Sequence, residues 1–209
     1  MIKNYIKKHV RQKIWMLHAI SLDGYSSSIS FSRFEKFINI AYDELITNKS
    51  VLTFDDGYES VYKLAFPLLK EKGIHFVCFV VADFIDKDGY LSTKQIQEMI
   101  NSGLLTIQSH GLTHVVLTTL QDEQIVNEIA MSKNILENKF FVQINSFAYS
   151  HGQYNKKMFR FLKQAGYSKA YIAVSGTKNI LFKNRYTLPR INICDRTFDH
   201  LIKFYYEKE

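Results

Sequence analysis

Two prolines, two cysteines and nine glycines in 209 residues exclude several protein classes at once. With so little proline and 46% hydrophobic residues, the chain is not disordered. The glycines form no dinucleotide-binding fingerprint behind a strand, which argues against a doubly wound nucleotide-binding sheet. Cys78 sits in an apolar run and Cys194 lies far along the chain. They could form one disulfide, but nothing in their surroundings asks for it, and buried free thiols are the expectation. No stretch is long and apolar enough to span a bilayer, and the N-terminus lacks the continuous apolar segment of a secretory signal. A soluble, cytoplasmic protein is therefore expected, although a chain already stripped of its signal would read the same. Internal repeats and low-complexity linkers are missing too.

What the chain has in quantity is aromatic residues, 16 Phe and 13 Tyr, and a formal net charge of +7. Its length and apolar content suit one domain over residues 1–209, with a basic arm over about residues 1–12. Lysines are spread along the chain, and no Lys/Arg block interleaves with stacking aromatics, so no nucleic-acid partner is expected. The densest basic cluster is Lys3, Lys7, Lys8, Arg11 and Lys13, with Ile2, Ile6, Val10 and Ile14 recurring every four residues. That pattern suits a basic amphipathic helix in peripheral contact with a membrane, while a solvated arm is the plainer reading. Oligomeric state leaves no mark in the sequence.

Apolar strand-like runs alternate with helical patterns. Strands are expected over 13–20, 50–54, 75–82, 104–109, 143–149, 169–174 and 187–193. Helices are expected over 31–45, 58–73, 93–103, 122–138, 155–166 and 197–206. Pro67 is expected to kink the second helix, and Thr119 with Asp122 reads as the cap of the fourth. The alternation predicts an α/β fold: a distorted or incomplete (β/α) barrel of about seven parallel strands. In such barrels chemistry collects where strands end.

Three polar clusters sit at such ends: Asp55 and Asp56 after Phe54, His110 after Ser109, and the stretch "YSHG" (149–152) after Ala148. His110 and His114 in "SHGLTH" would share a face on a helical turn, so both imidazoles could reach one metal. Two histidines and a carboxylate are a familiar ligand set for a hydrolytic metal. One of the paired aspartates would then be neutralised by the ion, leaving the other to accept a proton from water. The plain alternative, a surface Asp-Gly turn, does not explain why the pair follows a buried strand. Trp15 and the other aromatics could stack on a sugar ring, but core packing explains them better. "DKDGY" (86–90) resembles the start of a calcium loop but lacks its later glutamate, so a plain turn is expected.

Together, "TFDDGY" and "SHGLTH" resemble the polysaccharide deacetylases, carbohydrate esterase family four with its NodB-like homology domain. The resemblance runs from "MLHAI" (16–20) through "LPRINI" (188–193), and "PLLKEKGIHFVCFVV" and "GYLSTKQIQEM" resemble the bacterial surface-polysaccharide branch. It implies a distorted barrel that removes acetyl groups from N-acetylated, sometimes O-acetylated, sugars with a divalent metal. Zinc is expected first, with Co2+, Mn2+, Ni2+ or Fe2+ as other occupants. It implies Asp56, His110 and His114 as ligands and Asp55 as general base. The family's third motif, Arg-x-Pro-Tyr-Gly, reads Ala148-Tyr149-Ser150-His151-Gly152 here. The backbone N–H of His151 would still face the oxyanion, and Arg190, at another strand end, would replace the missing arginine that orients the base. The family's late Leu-x-His motif is absent. His18, at the end of the first strand, is the candidate acid, with His151 and His200 behind it. A catalytically silent carbohydrate- or metal-binding module, and a barrel hydrolase cleaving the C–N bond of a small amide, remain the alternatives.

Overall fold

The computed structural model describes residues 12–22, 28–174 and 184–207. The basic arm, apart from Gln12, lies outside them. Seven parallel strands close a barrel: β1 (Lys13–Leu17), β4 (Ser50–Phe54), β5 (Phe76–Val80), β6 (Leu105–Ser109), β7 (Ser146–Ala148), β8 (Lys169–Val174) and β9 (Leu188–Asn192), in that order round the ring. β9 returns to β1 through Trp15↔Ile191 and Met16↔Asn192. Two short strands, β2 (Ile20–Ser21) and β3 (Ile29–Ser30), pair beside the barrel. The helices are α1 (Phe31–Ile46), α2 (Phe66–Glu71), α3 (Thr93–Asn101), α4 (Asp122–Phe140), α5 (Met158–Gln164) and α6 (Phe198–Tyr205).

Side-chain alternation divides the apolar residues between two cores. In β4 and β5, Leu52, Phe54, Phe76, Cys78 and Val80 point outward and join the large core beneath the helices. Ile14, Phe79, Ala148 and Tyr171 form a smaller cluster inside the barrel, flanked by Val51, Val77 and Leu188. α1 covers its side with Phe34, Phe37, Ile38, Ala41 and Leu45, a helical stripe in which each Phe, Ile and Leu side chain contributes about 1.5–3 kcal/mol on burial. Trp15 has no exposed surface, which places it in the core rather than on a ligand. Cys78 and Cys194 are buried and free.

The barrel is weakest between β6 and β7, where the ladder holds a single register pair, Ser109↔Phe147. A side chain replaces the missing backbone bonds there: Gln108 Oε1 accepts from the N–H groups of Asn145 at 2.9 Å and Ser146 at 2.6 Å. This is the distortion the sequence led us to expect.

Three local expectations need correction. The second helix opens as a wide π turn, Val61–Ala65, and Pro67 sits in the first turn of α2 instead of kinking a continuous helix. A proline there has no helical N–H to lose. The cap of α4 is Gln121, whose N–H donates to Gln124 Oε1 at 3.0 Å, because Thr119 Oγ1 is already committed to Val116 O at 2.8 Å. Finally, His110 and His114 do not lie on a helical turn. They bound an irregular loop in which Gly111 and His114 both have left-handed backbones, with φ of 89° and 66°.

Candidate metal centre

The alternation that packs the barrel also aims its polar residues. Val51 lies against the inner cluster and Thr53 meets the buried Arg190, so the next inward position along β4 is Asp55. The Asp55 N–H extends the ladder to Leu17 O at 2.9 Å, keeping the chain strand-like to that point. Asp56 then turns left-handed, φ 69°, and Gly57 follows at φ 80°. A Cβ on Gly57 would lie 3.2 Å from Val80 Cγ1, so both backbone conformation and close packing favour glycine. A continued strand would send Asp56 to the outer face; the reversal keeps its carboxylate at the same end of the barrel as that of Asp55.

Asp56 Oδ1 lies 3.3 Å from His110 Nε2 and 3.1 Å from His114 Nε2. One donor atom from each residue falls within 4.8 Å of the others. His110 Nδ1 is 2.9 Å from Ala148 O, an acceptor only, so Nδ1 carries the proton and Nε2 turns its lone pair toward the carboxylate. Asp56 Oδ1 is buried and has no hydrogen-bond partner. The His110 lone pair aimed at an orphaned carboxylate oxygen is repulsive unless a cation sits between them. Two nitrogens and one oxygen suit zinc and its neighbours in the transition series. Without a cation, a proton serves: burial would lower the pKa of His110, but Asp55 and Asp56 outweigh burial and raise it. Burial would likewise raise Asp56, and its contacts with the two histidines hold it well below the usual carboxylate range.

The profile of the polysaccharide deacetylase family matches residues 44–170, which include both aspartates and both histidines. The chain belongs to the polysaccharide deacetylase family. Among curated relatives, this family member is 30% identical over 160 residues to the Bacillus subtilis protein YxkH, covering 76% of this chain and 57% of YxkH. It is 28% identical over 169 residues to a poly-β-1,6-N-acetyl-D-glucosamine N-deacetylase of Staphylococcus aureus, covering 73% of this chain and 57% of that protein. The chain thus spans about 57% of the length of these relatives. In fold it is similar to a polysaccharide deacetylase from Bacillus cereus, with a TM-score of 0.79, 24% identity, and coverage of 94% of this chain and 69% of that one. A Streptococcus pyogenes deacetylase solved with acetate has a TM-score of 0.79 at 20% identity, with coverage of 94% and 98%.

In this deacetylase-family barrel Asp55 stands apart from the trio. Arg190 Nη1 and Nη2 donate to its two oxygens at 2.5 and 2.6 Å, a parallel two-bond pair. The guanidinium is fully buried and packs 4.9 Å from the Phe79 ring and 5.8 Å from the Tyr171 ring. Burial alone would raise the Asp55 pKa; Arg190, with His110 behind it, outweighs burial and lowers it. His110 Nε2 is 3.9 Å from Asp55 Oδ2, so the second carboxylate overlooks the trio without joining it.

The remaining sequence candidates fall in different places. His18 is partly buried, continues the inward positions of β1 and lies close enough to act electrostatically on both aspartates. Its Nδ1 is buried without a hydrogen-bond partner. His151 is exposed, has a left-handed backbone at φ 57°, and sets its ring 4.7 Å from that of His114. His200 is exposed on α6 beside Phe204. Asp86 of the calcium-like stretch accepts from Thr93 N and Oγ1 and pairs with Lys139, a wholly internal arrangement. Sequence reading missed Tyr58. Burial and the nearby Asp56 push its pKa up to about 12, so its hydroxyl stays protonated beside the trio, and its ring stacks on Tyr90 at 5.2 Å. Its place two residues after Asp56 was the available signal.

Proposed function

We propose that this chain is a metal-dependent hydrolase that removes acetyl groups from an N-acetylated glycan. The observation carrying this reading is the division between neighbouring carboxylates: Asp56 faces two imidazoles, while Asp55 is held by Arg190. Asp56, His110 and His114 would hold a divalent metal, zinc first. When bound, the ion supplies a Lewis acid for the acetyl carbonyl and acidifies water. The name of the Staphylococcus aureus relative suggests β-1,6-linked N-acetylglucosamine oligomers as the first substrate to test.

The chain's own residues then have separable tasks. Asp55 accepts a proton from the water that attacks the acetyl carbon, and Arg190 keeps that carboxylate ionised and aimed. The backbone N–H of His151 faces the oxygen on which negative charge develops, a role that survives the change of side chain from the family's tyrosine. His18 donates a proton to the nitrogen as the C–N bond breaks. Acetate and a free amine leave, the proton held by Asp55 passes to solvent, and His18 takes one back from solvent before the next turnover.

The direct test is acetate release from such oligomers by protein loaded with one equivalent of zinc. Activity should disappear with a chelator and return with added zinc; turnover that ignores the chelator, or zinc-loaded protein inert on every acetylated glycan tried, defeats the reading. His18→Asn separates the acid step. Amide hydrolysis should fall by about 100-fold, while 4-nitrophenyl acetate, whose leaving group needs no proton, should lose less than about 10-fold. Equal losses on both substrates would remove His18 from the role.

A further inference from the structure

The loop that presents His110 and His114 is pinned from the outside by a carboxylate that takes no part in the chemistry above. Glu128 lies on the buried face of α4 with Ile125, Ile129, Ser132 and Leu136, and is only 7% exposed. Its Oε2 accepts from the backbone N–H groups of Leu112 at 3.0 Å and Thr113 at 3.1 Å, and Oε1 accepts from Thr113 Oγ1 at 2.5 Å. No Lys or Arg pairs with it among the described residues. A buried carboxylate without a cation is costly unless hydrogen bonds compensate it, so its three donors are what hold it there.

Those donors occupy the only residues between Gly111 and His114. The rest of the loop is tied on other sides: Ala82 N–H donates to Gly111 O at 3.1 Å, Asp83 N–H to Leu112 O at 3.0 Å, and Ser150 Oγ to His110 O at 3.1 Å. His110 is fixed further by its own Nδ1 bond to Ala148 O. Among the described residues His114 has no comparable side-chain anchor; it is partly exposed and adopts a strained left-handed backbone at φ 66°. Its distance to Asp56 depends on where residues 112 and 113 are held.

We propose that Glu128 is a positioning residue for the metal. By fixing the backbone at Leu112 and Thr113 it keeps His114 in its left-handed conformation with Nε2 toward Asp56. This inference rests on the metal-site reading above. Partners behind metal ligands commonly set affinity by about 10–100-fold, usually by bonding to the ligand side chain itself. Here the hold acts on the backbone one and two residues before the ligand.

The test measures zinc affinity against a chromophoric chelator in wild type, Glu128→Ala, Glu128→Gln and Thr113→Val, with melting of the metal-free proteins recorded in parallel. Glu128→Ala should bind zinc about 10–100-fold more weakly while remaining folded. Glu128→Gln should stay within about threefold of wild type, because its amide oxygen still accepts both N–H groups and its NH2 can donate to Thr113 Oγ1. Thr113→Val, lacking one bond of the three, should fall between. The visible absorption of the cobalt-substituted proteins gives a second readout, since Glu128→Ala should alter the coordination spectrum and Glu128→Gln should not. Zinc affinities for Glu128→Ala and Thr113→Val within twofold of wild type overturn the proposal; should Glu128→Ala not fold, Thr113→Val decides alone. A Gln variant as weak as Ala also overturns it, because charge rather than placement would then be at work. Wild type that binds no zinc defeats the metal reading itself, and this inference with it.

Discussion

Asp55→Asn is expected to keep its zinc and to lose acetate release by about 10²–10⁴-fold. The substitution changes neither the size of the side chain nor any of the three candidate ligand atoms, Asp56 Oδ1, His110 Nε2 and His114 Nε2. What it removes is the ability to accept a proton at a position that overlooks the site, with one oxygen 3.9 Å from His110 Nε2. The amide oxygen can still accept one Arg190 N–H, but the NH2 now opposes the other, leaving the buried guanidinium half satisfied. A lower melting temperature should therefore accompany the kinetic defect. Zinc affinity, measured on the same preparation, separates the two aspartates. A tenth or more of wild-type kcat would place the base elsewhere. Loss of zinc along with activity would make Asp55 a ligand, and the division of labour between neighbours would be wrong.

That division was only partly legible from the chain. The strand over 50–54 and the strand over 169–174 have the expected limits, and the other barrel strands differ by one to three residues at their ends. Buried parallel strands announce themselves as short, dense apolar runs, so the barrel followed from local pattern. The Asp-Asp and His-x-x-x-His pairs were equally visible, because the carboxylates and imidazoles sit within a few residues of a strand end. The histidine loop was misread as helical because a spacing of four fits a helical turn; the glycine at 111 was the local hint that the backbone would go elsewhere. Arg190 was reached by placing it at a strand end, whereas it stands in the middle of β9, Leu188–Asn192. A stronger route was available in period-two alternation: Leu188 and Arg190 share the inward face of β9, as Val51, Thr53 and Asp55 share that of β4. Two inward side chains of opposite charge inside one narrow barrel must meet. Glu128 was illegible for the opposite reason. Two of its three partners are backbone N–H groups 15 and 16 residues away, and backbone donors leave no trace in residue identity.

Arg190→Met should be the most damaging single change to stability at this site. Breaking a buried ion pair by removing one partner costs about 3–5 kcal/mol, because the other charge is left unpaired in the interior. Methionine fills much of the space between Phe79 and Tyr171, so the loss reports mainly on charge. The sign with pH follows from Asp55. In wild type its pKa is lowered from the ordinary 3.8, so the pair contributes stability above that value, lost only as pH falls through the depressed one. Without Arg190, burial dominates and the pKa rises above 3.8. The ionised carboxylate then opposes folding at neutral pH, and the variant should regain ground against wild type as acid protonates it. The same shift moves catalysis: Asp55 must be ionised to accept a proton, so the acid limb of kcat/KM should move to higher pH in Arg190→Met. The double variant Asp55→Asn with Arg190→Met carries no unpaired charge and should melt well above Arg190→Met alone, though it should remain inactive. Measured melting curves and pH profiles for the four proteins form a complete cycle. Equal melting of the single and double variants, or an acid limb that does not move, would show that Arg190 neither compensates nor tunes the carboxylate it grips with two bonds.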